Sequence, residues 1–244
     1  MTTDWRESIP DRLGDLPLGG DLIRTEPGGR AAAPIAVLGV YPALTKMGRF
    51  ETDDGPINLP VEVEATSFAP GSSSGREIDA AYLSPLGLSR DDVLFLDMFP
   101  HYLANTSGSG SGGRSMWDNV QTYERVTGEQ TAMKPRPQPD ALLGRCRTMP
   151  GNTERLAEQL EAHPRRLVFT LGNEAAAFIR GDDAAKAAQP HLLASPKDLV
   201  FAGRSSPVVH LPHPGIVMRR TPWRDRLTAW IEAKGRRLLA DLDG

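Results

Sequence analysis

The stretch Ile35-Ala36-Val37-Leu38-Gly39-Val40-Tyr41-Pro42-Ala43 decides how this chain reads. A short apolar run follows Pro34 and stops at a glycine. Such a run is the pattern of a strand buried on both faces, as strands of parallel sheets are. Three later runs repeat it. Val93-Leu94-Phe95-Leu96 ends at Asp97, Leu167-Val168-Phe169-Thr170-Leu171 ends at Gly172, and Val208-Val209-His210-Leu211 ends at Pro212. Helical patterns lie between and after them: Glu77 to Leu86, Thr153 to Ala162 with Asn152 or Thr153 as N-cap, Glu174 to Arg180, and Trp223 to Leu239. The alternation predicts a three-layer α/β/α fold around a central four-stranded parallel sheet.

Outside these runs the chain thins. The first 33 residues, rich in glycine, proline and charge, read as a loosely packed N-terminal arm. Residues 34–244 read as one domain. Asn105 to Arg114 is a Gly/Ser tract expected to be mobile, and Lys134 to Pro139 (K-P-R-P-Q-P) an extended connector.

Composition narrows the function classes. The 244 residues carry a formal net charge of −3, with 39% hydrophobic and 24% charged residues, ordinary for a globular protein. No apolar stretch approaches the ~18 residues that suggest a membrane span, and Met1-Thr2-Thr3-Asp4-Trp5 lacks the look of a secretion signal. The expectation is a cytoplasmic protein with no membrane partner. One cysteine, Cys146, allows neither an internal disulfide nor an iron–sulfur cluster. It reads as a buried thiol, with a nucleophile as the alternative. No zinc spacing joins it to the five histidines, so neither a metal nor a cofactor is expected.

Ligands of open parallel sheets bind beyond the carboxyl ends of the strands. Here those ends read G-V-Y-P-A (Gly39 to Ala43), D-M-F-P-H from Asp97, L-G-N-E (Leu171 to Glu174) and L-P-H-P-G (Leu211 to Gly215). A strand ending in G-x-x-P, a second ending in a polar residue, an L-G-x-x-A element and a late H-P-G, in this order from about Ile35 to Trp230, resemble the uracil-DNA glycosylase superfamily. The branch with a G-L-A-P-A first motif and a downstream G-R-x-F-T-G-D is most similar, matched by Gly39 to Ala43 and by Gly48-Arg49-Phe50-Glu51-Thr52-Asp53.

The resemblance implies a DNA glycosylase that acts on a base flipped out of DNA. Gly39, Val40, Tyr41 and Ala43 would border the base. Phe50 would stack on it, or else is an ordinary core aromatic. Asp53 or Asp54 would activate water and stabilise the sugar cation; the alternative is a polar D-D-G turn. His213 would stabilise the departing base anion, or be a satisfied structural histidine. His210 reads as structural. Arg219, Arg220 and Arg224 would contact DNA phosphates, or start a solvated helix. Many members carry an acid where this chain has Tyr41, so the carboxylate role passes to Asp53 or Asp54.

Two positions bear on the base. The family's uracil reader is usually asparagine; here it is Asp97, which as an ionised carboxylate only accepts hydrogen bonds and so suits the amine of cytosine. The bland alternative is a turn cap. Ala43 removes the aromatic wall that blocks 5-substituents. Together they point to a 5-modified cytosine, as in some phage genomes. No lysine sits at a matched position for a Schiff base, Lys46 being the nearest, so a monofunctional enzyme is expected; a monomer is the separate expectation for its assembly. A non-catalytic DNA-sensing module and a hydrolase of free nucleosides remain as alternatives.

Overall fold

The computed structural model describes residues 23–61, 64–107, 114–161, 167–201 and 203–240. The fold is mixed α/β, built on a central, mostly parallel sheet. Strands β1 (Arg24–Glu26) and β2 (Gly28–Gly29) precede the four expected ones, β3 (Ile35–Gly39), β7 (Val93–Asp97), β8 (Leu167–Leu171) and β10 (Arg204–Leu211). Between β3 and β7 come the hairpin β4 (Met47–Phe50)/β5 (Ile57–Pro60) and β6 (Glu64–Thr66). Strand β9 (Lys197–Phe201) runs antiparallel to β10. The sheet order is β2-β7-β3-β8-β10-β9, with β7, β3, β8 and β10 mutually parallel.

The sheet has six strands rather than the expected four. The extra two are antiparallel edge strands. Neither shows the continuous apolar run that marked the others: β2 is two glycines and β9 mixes lysine and aspartate with apolar residues. Residues 23–33, the described end of the segment read as an arm, thus pair with the sheet through β2 and with β6 through β1. The rest of that segment, residues 1–22, and the middle of the Gly/Ser tract, 108–113, lie outside the described residues.

Strand side chains alternate between two apolar clusters. Ala36, Leu38, Leu94, Leu96, Val168 and Val208 face one side. There they meet the helices Pro139–Thr148 (α4), Asn152–Glu161 (α5) and Asn173–Arg180 (α6) through Leu142, Leu143, Cys146, Leu156 and Phe178. Ile35, Val37, Phe95, Phe169 and Val209 face the other side. Those pack on α1 (Ser73–Ile78), α2 (Ser84–Leu86), α7 (Pro214–Arg219) and α8 (Thr221–Trp230) through Ile78, Leu86, Val217 and Trp230. A third cluster under the hairpin joins Ile57 and Leu59 to Val120 of α3 (Met116–Thr127). Sequence reading missed α3, α4 and the short α7. Beyond α8 the helical path continues through a π-helical turn (Ile231–Gly235) into α9 (Arg236–Ala240), so the expected closing helix Trp223–Leu239 is helical throughout.

Local chemistry sets the helix starts. Ser72 caps α1, its hydroxyl accepting from the Gly75 N–H at 2.9 Å, so this helix begins four residues before Glu77. Asn152 is the first residue of α5 and not its cap. Its amide donates instead to the carbonyls of Met98 and Cys146, both at 3.0 Å. Cys146 is fully buried, and burial pushes its thiol up to about 12, which leaves it protonated and inert.

His210 sits in β10 as a structural residue, 6% exposed, with Nδ1 2.7 Å from the Thr170 hydroxyl. Burial first, then the charge of Arg180, lowers its pKa to about 4. A lowered folded value means the stabilisation is present above the unfolded value of ~6.5 and is lost as pH falls toward 4. The full shift corresponds to roughly 3 kcal/mol. Urea unfolding should therefore weaken between pH 6.5 and 4, and His210→Asn should remove much of that drop. An unchanged drop in the variant would assign the acid sensitivity elsewhere.

Candidate functional site

The carboxyl ends of β3 and β7 lie side by side, with Gly39 the cross-strand partner of Asp97. The backbone ties them further: the N–H groups of Met98 and Phe99 donate to the carbonyls of Gly39 and Val40 at 3.0 and 2.9 Å. On the far side of the sheet Arg155 of α5, 4% exposed, donates to the Asp97 carbonyl at 2.8 Å and to Asn152 Oδ1 at 2.9 Å. Burial lowers the Arg155 pKa to about 10, so it stays charged at neutral pH.

Asp97 itself is 1% exposed, and its Oδ2 has no hydrogen-bond partner among the described residues. Burial raises its pKa to about 7, with the Ser67 hydroxyl and the Arg155 charge pulling the other way. Near neutral pH the side chain therefore divides between carboxylate and acid. Gly39 has to be glycine: a Cβ there would stand 2.5 Å from Asp97 Oδ1 and 2.5 Å from the Phe68 ring. Phe68, 6% exposed, also packs on Phe95 and holds a left-handed backbone, φ 50°. So a carboxyl and an aromatic face meet at the end of β3.

Two strands away, the loop after β10 is clamped in place. The Tyr82 hydroxyl donates to the Pro212 carbonyl at 2.8 Å, and the Gly172 N–H donates to the Leu211 carbonyl at 2.9 Å. Gly172, φ 91°, ends β8; a Cβ on it would come within 3.2 Å of His213 Cβ. His213 caps α7, its Nδ1 accepting from the Gly215 N–H at 3.0 Å. Burial, then the positive charges of Arg136 and Arg219, lowers its pKa to about 4. At neutral pH the ring is uncharged, and with Nδ1 an acceptor its proton is on Nε2, a donor.

Between these two halves stand Tyr41, Arg136 and Glu174. The Arg136 guanidinium lies over the Tyr41 ring, 4.9 Å from its centre, and donates to Glu174 Oε1 at 2.8 Å. Tyr41 is half-buried; burial foremost, with the nearby charges of Glu174 and Asp97, raises its pKa. Arg136 is aimed here because the proline-rich connector runs as a strand-like bridge beside Ala104, its N–H bonded to the Ala104 carbonyl at 2.8 Å. The order β7-β3-β8-β10 puts three strand steps, on the order of 14 Å, between Asp97 and the strand leading to His213.

Comparison with protein-family models and with curated proteins gives no match.

The structure therefore speaks through geometry alone, and it sorts the expected site residues into two groups. Gly39, Val40, Tyr41, Asp97 and His213 gather at one end of the parallel strands, with half-buried Ala43 beyond Tyr41 in the same loop. Phe50, Asp53 and Asp54 belong to the β4/β5 hairpin and its turn. Phe50 is 37% exposed, its ring edge-on to Tyr123 of α3 at 5.6 Å. Asp53 is exposed, and Asp54 is ion-paired with Arg125, whose hydrogen bond and then charge hold its carboxyl below the usual range. Lys46 is likewise exposed. No contact of Phe50 or Asp54 reaches Asp97 or His213 among the described residues.

His213 itself borders a cleft of about 270 Å³, together with Gly172, Ile216, Arg219, Arg220 and Trp223. Arg219 and Arg220 thus adjoin the histidine. Arg224 is turned away into an ion pair with Glu77 at 2.8 Å. Among the described residues no cluster of three or more potential metal ligands occurs, and no helix is long and apolar enough to cross a membrane.

Proposed function

We propose that the protein is a DNA glycosylase that hydrolyses the N-glycosidic bond of a pyrimidine flipped out of DNA, on a uracil-DNA glycosylase-like three-layer fold. One observation carries this reading. A buried carboxyl at the end of β7, a glycine-backed aromatic face at the end of β3 and a neutral, loop-clamped histidine after β10 share the carboxyl edge of one parallel sheet. An extruded base needs a flat face to lie on, a polar group to read its edge, and a donor where negative charge collects as it leaves.

Phe68 fits the first role better than Phe50, because it lies against Gly39 and Phe50 lies on Tyr123. Asp97 takes the second. Its Oδ2, buried without a partner among the described residues, would accept from the amine of a cytosine when ionised, and Ala43 leaves space at the 5-position of such a base. His213 takes the third. A neutral imidazole that donates through Nε2 stabilises an oxyanion on the departing base without giving up its proton. Arg219 and Arg220, exposed beside the cleft, would hold the flanking phosphates.

The test is a panel of oligonucleotides carrying uracil, cytosine and 5-modified cytosines, with alkali-labile sites as the readout. Strand breaks at one of these bases support the reading; none at any of them removes it. Tyr41, where many glycosylases of this type carry an acid, favours one competing reading: a DNA-sensing module without catalysis. Tight duplex binding with no abasic product would select it. If Arg219 and Arg220 neutralise two phosphates, replacing both with alanine should flatten the slope of log affinity against log salt by about 2. An unchanged slope would move the DNA contact elsewhere.

A further inference from the structure

If the chain is a glycosylase, it needs a group to take the proton of the attacking water, and the loop position at Tyr41 offers no carboxylate. We propose that Glu174, at the start of α6, is that carboxylate; the assignment rests on the glycosylase reading.

The geometry favours it over the hairpin acids. Glu174 is largely enclosed, with 15% of its side chain exposed. Its Oε1 is fixed by Arg136, and its Oε2 lies 3.7 Å from the place where a Cβ on Gly172 would stand. His213 Cβ reaches that same place at 3.2 Å. The absent side chain of Gly172 is thus what lets the acid and the histidine flank one space. Through Arg136 the acid is also joined to the Tyr41 ring, so a carboxylate from the first turn of α6 stands beside the loop that lacks one. Asp54, by contrast, is engaged with Arg125 at the hairpin turn.

In the reaction, water attacks C1′ of the sugar, and its proton passes to Glu174 Oε2. The glycosidic C–N bond breaks and its electron pair leaves on the base, whose oxygen faces the His213 Nε2–H. The negative charge of Glu174 also stabilises the sugar cation as that bond opens. Arg136 is a positioning residue: it holds the acid through Oε1 and leaves Oε2 free for water.

The experiment uses the full chain and the base that the wild-type protein releases most efficiently. Under single-turnover conditions, Glu174→Gln should slow release by at least about 10²-fold, with affinity for the same duplex unchanged. Glu174→Ala should recover part of its rate when formate is added, a response that a purely structural role would not give. A Glu174→Gln variant with the wild-type rate overturns the assignment. So does a loss that falls on Asp53→Asn instead, or one that tracks affinity and melting temperature with no response to formate. A wild-type protein inactive on every oligonucleotide removes the glycosylase reading and this inference with it; activity with an indifferent Glu174 removes the inference alone.

Discussion

Replacing His213 with alanine should cut base release by 10²- to 10³-fold, the loss typical of one preorganised donor to a developing oxyanion, while the fold survives. The survival is argued from the contacts. The loop is clamped by Tyr82 and Gly172 through the backbone carbonyls of Pro212 and Leu211, and neither bond uses the imidazole. What alanine removes from the scaffold is the cap on the Gly215 N–H, worth about 1 kcal/mol in such settings. Because the ring is held neutral, with a pKa of about 4, the wild-type rate should not follow histidine protonation near pH 6.5. The measurement is single-turnover release from pH 5 to 8, with melting temperatures alongside. A rate unaffected by the substitution would remove His213 from the chemistry.

The second large effect concerns Asp97, and it depends on pH in a defined direction. Burial sets its pKa at about 7. Above that value the carboxylate only accepts, and it matches the amine of a cytosine. Below it the acid both donates and accepts, as an amide does, and it matches the carbonyl and ring N–H of uracil. Preference for a 5-modified cytosine over uracil should therefore rise from pH 6 to pH 8. Asp97→Asn should abolish that dependence and shift the preference toward uracil by about tenfold, from an unpaired buried group at ~1–3 kcal/mol. The variant should also be more stable than wild type at pH 8. A raised folded pKa means the stabilisation is complete below the unfolded value of ~3.9 and is lost as pH rises through 7. A preference that is flat with pH in the wild-type protein would remove Asp97 as the reader.

Much of the architecture was legible because three strands and the end of the fourth are fully buried and read as mainly apolar runs; each run begins or ends within a few residues of its strand. The strands of the central sheet that escaped notice, β2 and β9, are edges, where glycine, lysine and aspartate are tolerated and no run forms. Helix α4 was hidden behind a proline-rich approach, although a proline at the first helical turn is itself a start signal.

The candidate site was legible where it depends on strand ends, at Gly39, Asp97 and His213. It was illegible where it depends on partners distant in sequence. Nothing local to Arg136 indicates that it would lie over Tyr41 and hold Glu174, 38 residues away. Phe68 was missed for a related reason. A phenylalanine between Ser67 and Ala69 carries no mark of a left-handed backbone, which usually belongs to glycine or asparagine. Phe50 drew attention instead through its G-R-F-E-T-D context, yet a hairpin carries it onto α3.

The left-handed turn at Phe68 has an entropic consequence. Its carbonyl accepts from Arg90 at 2.9 Å, its ring is confined by Gly39 and Phe95, and α1 starts shortly after it, capped by Ser72. Such a conformation costs on the order of 1–3 kcal/mol in a non-glycine residue, and the cost is met when the chain folds. A flipped base stacked on this ring, as proposed above, would meet a face already immobilised. The freedom that a loop aromatic would surrender on binding, about 0.5–1.5 kcal/mol for a side chain, has here been surrendered beforehand, so contact energy at Phe68 passes into affinity with little deduction.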